Sequence, residues 1–250
     1  MRALRLSSII GTTMAWLLLS APSGWAQSPG APYRAFRPDG PGRHPAVVFA
    51  SGCDGFAPSM APTVYERRAE HLRAQGHIVV FVDSLGRRGL KTCAGGITHA
   101  DVARDLAGAA ASLRSEPMVD PSRVAAMGWS YGGRAVLMAL AAPAGAPAFS
   151  RAVVLYPDCR ALDPWKATLP VLMLLGGDDD MTPAAQCQDV ARKVADPSLV
   201  KVVVYPGARH AFDVPGLPPK MQYGFATIGH DPRATAAAQN EVDQFLRAVR

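Results

Sequence analysis

The residue best suited to nucleophilic chemistry is Ser130, which lies at the centre of the sequence GWSYG at positions 128–132. The apolar run before this segment has the composition of a buried strand, and the apolar stretch after it that of a helix. A Gly-x-Ser-x-Gly turn between strand and helix is the pattern of a nucleophile elbow, which exposes the serine hydroxyl at the carboxyl edge of a sheet. The alternative is an ordinary glycine-rich loop.

An activated serine needs a base to accept its proton and an acid to orient that base. Three consecutive aspartates at positions 178–180 follow the predicted strand 170–175, so they lie at the same sheet edge as Ser130. Chemistry alone does not choose among the three, because an acidic residue here also suits the start of the following helix. A further alternative is that all three are solvated loop residues.

Two histidines compete for the role of the base. His210 follows the predicted strand 200–205, and His230 lies in a loop before the last predicted helix. The order serine, aspartate, histidine along the chain favours His210, whereas His230 has the alternative role of a loop or cap hydrogen bond. The other four precede the first strand or lie at helix or strand starts that we place away from this edge: His44, His71, His77 and His99.

Backbone N–H groups are the expected donors to an oxyanion. The first buried strand ends in the glycine-rich loop 51–55, whose N–H at Cys53 can be paired with that of Tyr131. The alternative is a plain turn. Trp129, Tyr131 and Phe212 either shape a substrate pocket or pack in the core.

Two arginines are candidates for binding a substrate carboxylate. Arg87 and Arg88 follow the predicted strand 77–82, and the ends of strands at this edge are where ligands bind in open α/β sheets. An equally favoured alternative is that Asp83 pairs with one of them and fixes the loop. The sequence leaves this choice open.

The elements that must position these residues alternate along the chain. Short apolar runs typical of strands buried on both faces are separated by amphipathic helical stretches, which predicts an α/β fold with a doubly wound, mainly parallel sheet and helices on both faces. The predicted organisation is a signal peptide at 1–26, an extended segment at 27–45 with a short edge strand at 33–36, and one domain at 46–250.

The beginning of the chain has the features of a secretory signal peptide. Arg2 and Arg5 precede an apolar run at 9–19, and small residues at 24 and 26 suit cleavage before Gln27. The alternative is an uncleaved anchor, but the run is short for a membrane-spanning helix. We therefore expect a periplasmic or secreted protein without stable membrane association after cleavage.

Four cysteines are expected to form two disulfides in an oxidising compartment. Because the members of each pair follow neighbouring predicted strands, Cys53–Cys93 with Cys159–Cys187 is the favoured pairing. No Cys-x-x-Cys motif supports a metal site. The formal net charge of +6 comes from scattered lysines and arginines without interleaved aromatics, so nucleic acid is not an expected partner.

Together, the elbow GWSYGG, the loop GGDDDMTP and the segment YPGARHAF resemble the dienelactone hydrolase family over residues 46–250. The resemblance implies that Asp179 is the acid and His210 the base, that Ser130 is the nucleophile, and that no cofactor is needed. Members that open dienelactones use cysteine as the nucleophile. In this sequence their glutamate beside the oxyanion loop is replaced by Gly52, and their second arginine by Val214.

These departures weigh against dienelactone itself as the substrate. The sequence predicts an exported serine hydrolase that cleaves ester or lactone bonds of small substrates through an acyl-serine intermediate. The expected assembly is a monomer or a small homo-oligomer. Two alternatives remain, namely a serine peptidase of the same fold and a catalytically silent binding protein.

Overall fold

The computed structural model describes residues 33–56, 62–141, 149–162 and 164–248. The predicted signal peptide lies outside these residues, as does the start of the extended segment. The strands are β1 (Tyr33–Phe36), β2 (His44–Ala50), β3 (Ile78–Val82), β4 (Val119–Trp129), β5 (Arg151–Leu155), β6 (Val171–Gly176), β7 (Val200–Tyr205), β8 (Met221–Tyr223) and β9 (Ala226–Ile228). The helices are α1 (Pro62–Ala74), α2 (His99–Arg114), α3 (Ser130–Leu140), α4 (Ala184–Arg192) and α5 (Pro232–Arg247).

Seven strands form one sheet in the order β1-β3-β2-β4-β5-β6-β7. The edge strand β1 is antiparallel to β3, and all other neighbouring strands in this sheet are parallel. Parallel neighbours need crossover connections, which the helices provide. The predicted fold class is therefore confirmed.

Helices cover both faces of this sheet. Successive residues of β2 alternate between the two cores, so that Val48 packs on the side of α2, α3 and α4 while Val47 and Phe49 pack on the side of α1 and α5. All five residues of β3 are buried, as expected for a strand covered on both sides. Burial on both faces explains why the sequences of these strands are continuous apolar runs.

The loops that leave the carboxyl ends of the parallel strands meet at one edge of the sheet, which is where the chemistry predicted from the sequence must lie. The hairpin β8–β9 adds a second, two-stranded sheet at this edge. The sequence patterns did not predict this hairpin. In the described part of the chain, no helix is long and apolar enough to cross a membrane.

Candidate active site

Ser130 begins α3 directly after β4, in the strand, turn and helix arrangement expected of a nucleophile elbow. Its φ of 49° lies in the left-handed region, which non-glycine residues rarely adopt. The turn is tight, because a Cβ on Gly132 would lie 2.3 Å from the Ser51 carbonyl oxygen and one on Gly128 would lie 2.6 Å from the Gly132 oxygen. Both glycines are therefore required for the sharp turn.

His210 connects Ser130 to Asp179 by hydrogen bonds. Its Nε2 lies 3.0 Å from Ser130 Oγ, and its Nδ1 lies 2.9 Å from Asp179 Oδ2. When Nδ1 carries a proton and donates it to the carboxylate, Nε2 is left to accept the serine proton. His210 and Asp179 are both buried. The structure thus brings three side chains from distant parts of the sequence into one continuous chain of hydrogen bonds.

The structure distinguishes the three consecutive aspartates. Asp179 Oδ1 accepts hydrogen bonds from the backbone N–H groups of Met181 and Thr182, at 3.0 and 2.8 Å, which fixes the carboxylate toward the histidine. Asp180 instead accepts from the N–H of Thr227 at 2.8 Å. Asp178 is exposed, 3.9 Å from Arg209. Only Asp179 therefore contacts His210.

Thr182 is a member of this hydrogen-bond network that sequence reasoning missed. Its hydroxyl donates to Asp179 Oδ2 at 2.9 Å or to the Tyr156 carbonyl oxygen at 3.1 Å, and it lies 3.0 Å from His210 Nδ1. The hydroxyl therefore supports the side of the imidazole that faces the acid. Its position at the end of the GGDDDMTP segment was the available sequence signal.

Asp213 is a second residue that sequence reasoning missed, and it lies completely within the protein. Its carboxylate accepts hydrogen bonds from Trp129 Nε1 at 2.9 Å and from the Tyr156 hydroxyl at 2.6 Å. The Tyr156 ring packs on His210, with 4.6 Å between ring centroids. Burial and then Asp213 raise the pKa of Tyr156 well above its usual value, so the hydroxyl remains a donor. Asp213 therefore links the residue before Ser130 to the ring beside His210.

The loop after β2 passes next to Ser130. A Cβ on Gly52 would lie 3.8 Å from Ser130 Cβ, and the Gly52 N–H donates to the Tyr65 hydroxyl at 2.9 Å. Burial raises the pKa of Tyr65 above its usual range. The N–H of Tyr131 belongs to the first turn of α3, where helical N–H groups have no carbonyl four residues earlier in the helix to bind. The two predicted oxyanion donors thus belong to segments that flank the serine.

Both disulfides favoured by the sequence are present, Cys53–Cys93 and Cys159–Cys187. The first ties the loop after β2 to the segment before α2, and the Cys93 N–H also donates to the Cys53 carbonyl at 2.8 Å. Two disulfides are typical of a protein in an oxidising compartment outside the cytoplasm. Among the described residues there is no group of three or more side chains suited to hold a metal ion.

The predicted substrate-binding residues are not all brought to the serine. A pocket of about 110 Å³ opens beside Ser130, and Trp129 lines it whereas Arg87 and Arg88 do not. Arg88 donates to Asp105 at 2.6 Å and to the Ser84 carbonyl at 2.9 Å, and Arg87 lies 3.9 Å from the same aspartate. The arginines follow β3 as expected, but the carboxylate of α2 draws their guanidinium groups toward that helix.

Phe212 belongs to the core, since it is fully buried and packs against Tyr156 and Tyr205. The pocket itself is mostly apolar and aromatic. It is lined by Gly52, Cys53, Asp54, Gly55, Tyr65, Trp129, Ser130, Tyr156, Met181, His210, Ala211, Val214, Leu217, Tyr223 and Ile228.

The expected position of His99 was wrong. Its imidazole stacks on the Tyr131 ring, with 3.8 Å between centroids, and so lies close to the elbow. The reason is that the chain enters α2 from the carboxyl edge of β3, so His99, the first residue of α2, lies near that edge. Burial, with a smaller contribution from Arg134, lowers the pKa of His99 to about 4.

We expect His99 to make stability depend on pH. Its pKa in an unfolded chain is about 6.5, so between that pH and about 4 the unfolded state binds a proton that the folded state does not. The free energy of unfolding therefore falls as the pH falls through this window. Because His99 is partly exposed, the effect is smaller than for a fully buried group. We expect the free energy of unfolding to fall across this window by about 1–2 kcal/mol less in His99→Phe than in the wild type. Urea titrations at pH values above and within this window measure it, and equal losses in both proteins contradict the assignment.

Comparisons with known proteins identify the family and the fold. The model of the dienelactone hydrolase family matches residues 33–250. No curated protein sequence matches the chain. A solved structure from Klebsiella pneumoniae, assigned as a dienelactone hydrolase, has a TM-score of 0.69 at 18% identity and covers 87% of this chain and 92% of its own.

A thermophilic esterase from the planctomycete Thermogutta terrifontis is also similar. Its propionate-bound structure has a TM-score of 0.63 at 20% identity and covers 86% of this chain and 88% of its own. The same enzyme phosphonylated by cyclosarin has a TM-score of 0.66 at 20% identity and covers 86% and 87%. With a family match over nearly all of the described residues, the chain belongs to the dienelactone hydrolase family and is a carboxylic ester hydrolase of the α/β-hydrolase fold.

Proposed function

We propose that the protein is an exported serine hydrolase that cleaves ester or lactone bonds of small substrates through an acyl-serine intermediate. The observation that carries this proposal is the unbroken hydrogen-bond chain from Ser130 through His210 to Asp179. Such a chain activates a hydroxyl that would otherwise be a weak nucleophile at neutral pH. We assign the roles of nucleophile, base and orienting acid in that order.

In the first half of the reaction, Ser130 Oγ attacks the acyl carbon while His210 Nε2 takes the hydroxyl proton. The oxyanion is held by the N–H groups of Cys53 and Tyr131, each worth about 3 kcal/mol in the transition state. The His210 imidazolium, stabilised by Asp179, then donates its proton to the leaving alkoxide. In the second half, water attacks the acyl-serine with His210 as the base, which releases the acid and restores the serine.

The acyl group is proposed to be short. The pocket beside Ser130 is lined mostly by apolar and aromatic side chains, which suit a small uncharged acyl group. The similar Thermogutta terrifontis esterase has been captured with propionate and with butyrate. Small esters or lactones are therefore the proposed substrate class, and neither a cofactor nor a metal enters the mechanism.

Export is part of the proposal. The apolar segment at 9–19 supplies the features of a signal peptide, and the two disulfides require an oxidising environment to form. We propose that cleavage before Gln27 releases the protein into the periplasm or the medium, as a monomer or small homo-oligomer without a nucleic-acid partner. The proposed catalytic domain spans residues 46–250, and the edge strand β1 from the preceding segment extends its sheet.

A fluorophosphonate probe tests the acyl-serine mechanism directly. We expect the protein to gain one adduct by intact-mass measurement, because an activated serine attacks phosphorus as it attacks an acyl carbon. Ser130→Ala should gain none, and Ser112→Ala, which alters an exposed serine on α2, should label as the wild type does. A wild-type protein without an adduct at Ser130 would support the catalytically silent binding protein. Faster cleavage of peptide amides than of nitrophenyl esters would support the peptidase.

A further inference from the structure

We propose that Asp54 and Tyr223 form a charge filter at the active-site pocket, which favours esters with a cationic or neutral leaving group and disfavours those that carry a carboxylate. This inference rests on the proposed function, since it names the substrate class of the same site. It concerns two residues that the sequence motifs did not single out.

The two residues come from opposite ends of the chain and meet at the pocket. Asp54 follows Cys53 in the loop after β2, and Tyr223 ends β8; both line the pocket. The Tyr223 hydroxyl donates to the Asp54 carboxylate, with O···O distances of 3.1 and 3.4 Å. This hydrogen bond joins two segments that line the pocket and holds the carboxylate there.

The two segments that carry Asp54 and Tyr223 are each fixed to the parts of the chain around the proposed catalytic residues. On one side, the Cys53–Cys93 disulfide fixes the residue next to Asp54. On the other, the β8–β9 hairpin is held by the Thr227 N–H, which donates to Asp180, and by the Gly229 N–H, which donates to the His210 carbonyl at 3.1 Å. The position of the carboxylate relative to Ser130 is therefore set by the fold and not by a free loop.

The charge of this carboxylate stands out against the side chains around it. Among the described residues that line the pocket there is neither lysine nor arginine, and most of the others are apolar or aromatic. Arg88 is engaged by Asp105 behind the loop after β3. A substrate carboxylate placed beside Asp54 therefore meets a like charge, which repels it.

A cationic group meets the opposite conditions. The Asp54 carboxylate attracts it, and the exposed ring of Tyr223 in the same pocket is of the kind that binds cations. The preference must arise locally, because the net charge of the protein is positive and would attract anions: the full sequence carries a formal charge of +6, and loss of Arg2 and Arg5 with the proposed signal peptide leaves +4. The expected order of kcat/KM is cationic, then neutral, then anionic.

The test uses three butyrate esters of nearly equal size: the ester of choline, the ester of its uncharged carbon isostere and the ester of a short hydroxy acid. Their hydrolysis is followed by pH-stat titration. We expect the wild-type kcat/KM for the choline ester to exceed that for the hydroxy-acid ester by about 100-fold. Asp54→Asn keeps an oxygen that can accept from Tyr223 but removes the charge, and should reduce this ratio about tenfold. Asp54→Ala should reduce it similarly, and covers the case in which one variant does not fold.

Two matched variants separate charge from shape. Tyr223→Phe removes the hydrogen bond but keeps the carboxylate, so the order of the three esters should persist. Asp39→Asn removes one negative charge from a fully exposed position and should leave the ratio unchanged. A ratio that is the same in wild type and in both Asp54 variants overturns the charge filter while the proposed hydrolase stands. Failure of the wild type to cleave any of the three esters, together with no fluorophosphonate adduct, overturns both.

Discussion

His210→Ala is expected to lower kcat/KM for a short nitrophenyl ester by at least about 10⁴-fold. His210 Nε2 lies 3.0 Å from Ser130 Oγ and is the base that accepts its proton in this mechanism, so its removal leaves the serine without that base. The loss should appear in kcat much more than in KM, because His210 moves a proton in the transition state. Steady-state kinetics over a range of ester concentrations measures both constants.

The aspartate segment provides the matched control for this prediction. Asp179→Asn keeps the shape of the side chain but favours the wrong tautomer of His210, so we expect a loss of about 10³–10⁴-fold. Asp178→Asn, one position earlier and exposed to solvent, should change kcat/KM by less than about threefold. Equal losses in the two variants, or an active His210→Ala protein, would contradict the assigned roles.

Asp213→Ala is expected to lower the free energy of unfolding by about 3–5 kcal/mol. The substitution removes the acceptor of two buried donors, Trp129 Nε1 and the Tyr156 hydroxyl. It also removes a negative charge near the buried Arg68. Burial lowers the pKa of Arg68, and Asp213 is the largest of the charges that oppose this effect. Urea denaturation of the purified variant, with the slope of the transition compared with that of the wild type, gives the difference.

The amide variant isolates the charge in this network. Asp213→Asn retains an oxygen that can accept one of the two hydrogen bonds, so its loss of stability should be smaller than that of the alanine variant. Asp39→Ala, at a fully exposed position, should change the free energy of unfolding by less than about 0.5 kcal/mol. A loss below about 1 kcal/mol in Asp213→Ala would mean that the buried donors find other acceptors.

Asp213 also affects the reaction in this scheme, although it touches no reacting atom. Its two donors are Trp129, which precedes the nucleophile, and Tyr156, which packs on the imidazole. A folded Asp213→Asn protein should therefore show a reduced kcat, because the serine and histidine are held less firmly in register. A stable variant with unchanged kcat would limit Asp213 to a structural role.

Much of the fold and of the candidate site follows from local sequence patterns. The alternation of apolar runs with amphipathic stretches determined the doubly wound sheet, because burial on both faces leaves a signal in every strand. The Gly-x-Ser-x-Gly turn placed Ser130, and the ends of two later strands placed the aspartates and His210 at the same edge. The disulfide pairing followed from which strands are neighbours.

Other features depend on contacts between segments that no local pattern connects. The family resemblance implied Asp179, but the contact that distinguishes it from its two neighbours is visible only in the folded protein. The same holds for the meeting of Asp213 with Trp129 and Tyr156, and for the turning of Arg88 toward Asp105. The β8–β9 hairpin is too short to leave a periodic signal, so its contact with Asp54 was also not predictable. The physical reason is that periodicity reports which face of an element is buried, whereas hydrogen-bond partners depend on the exact distance and orientation between elements far apart in the chain.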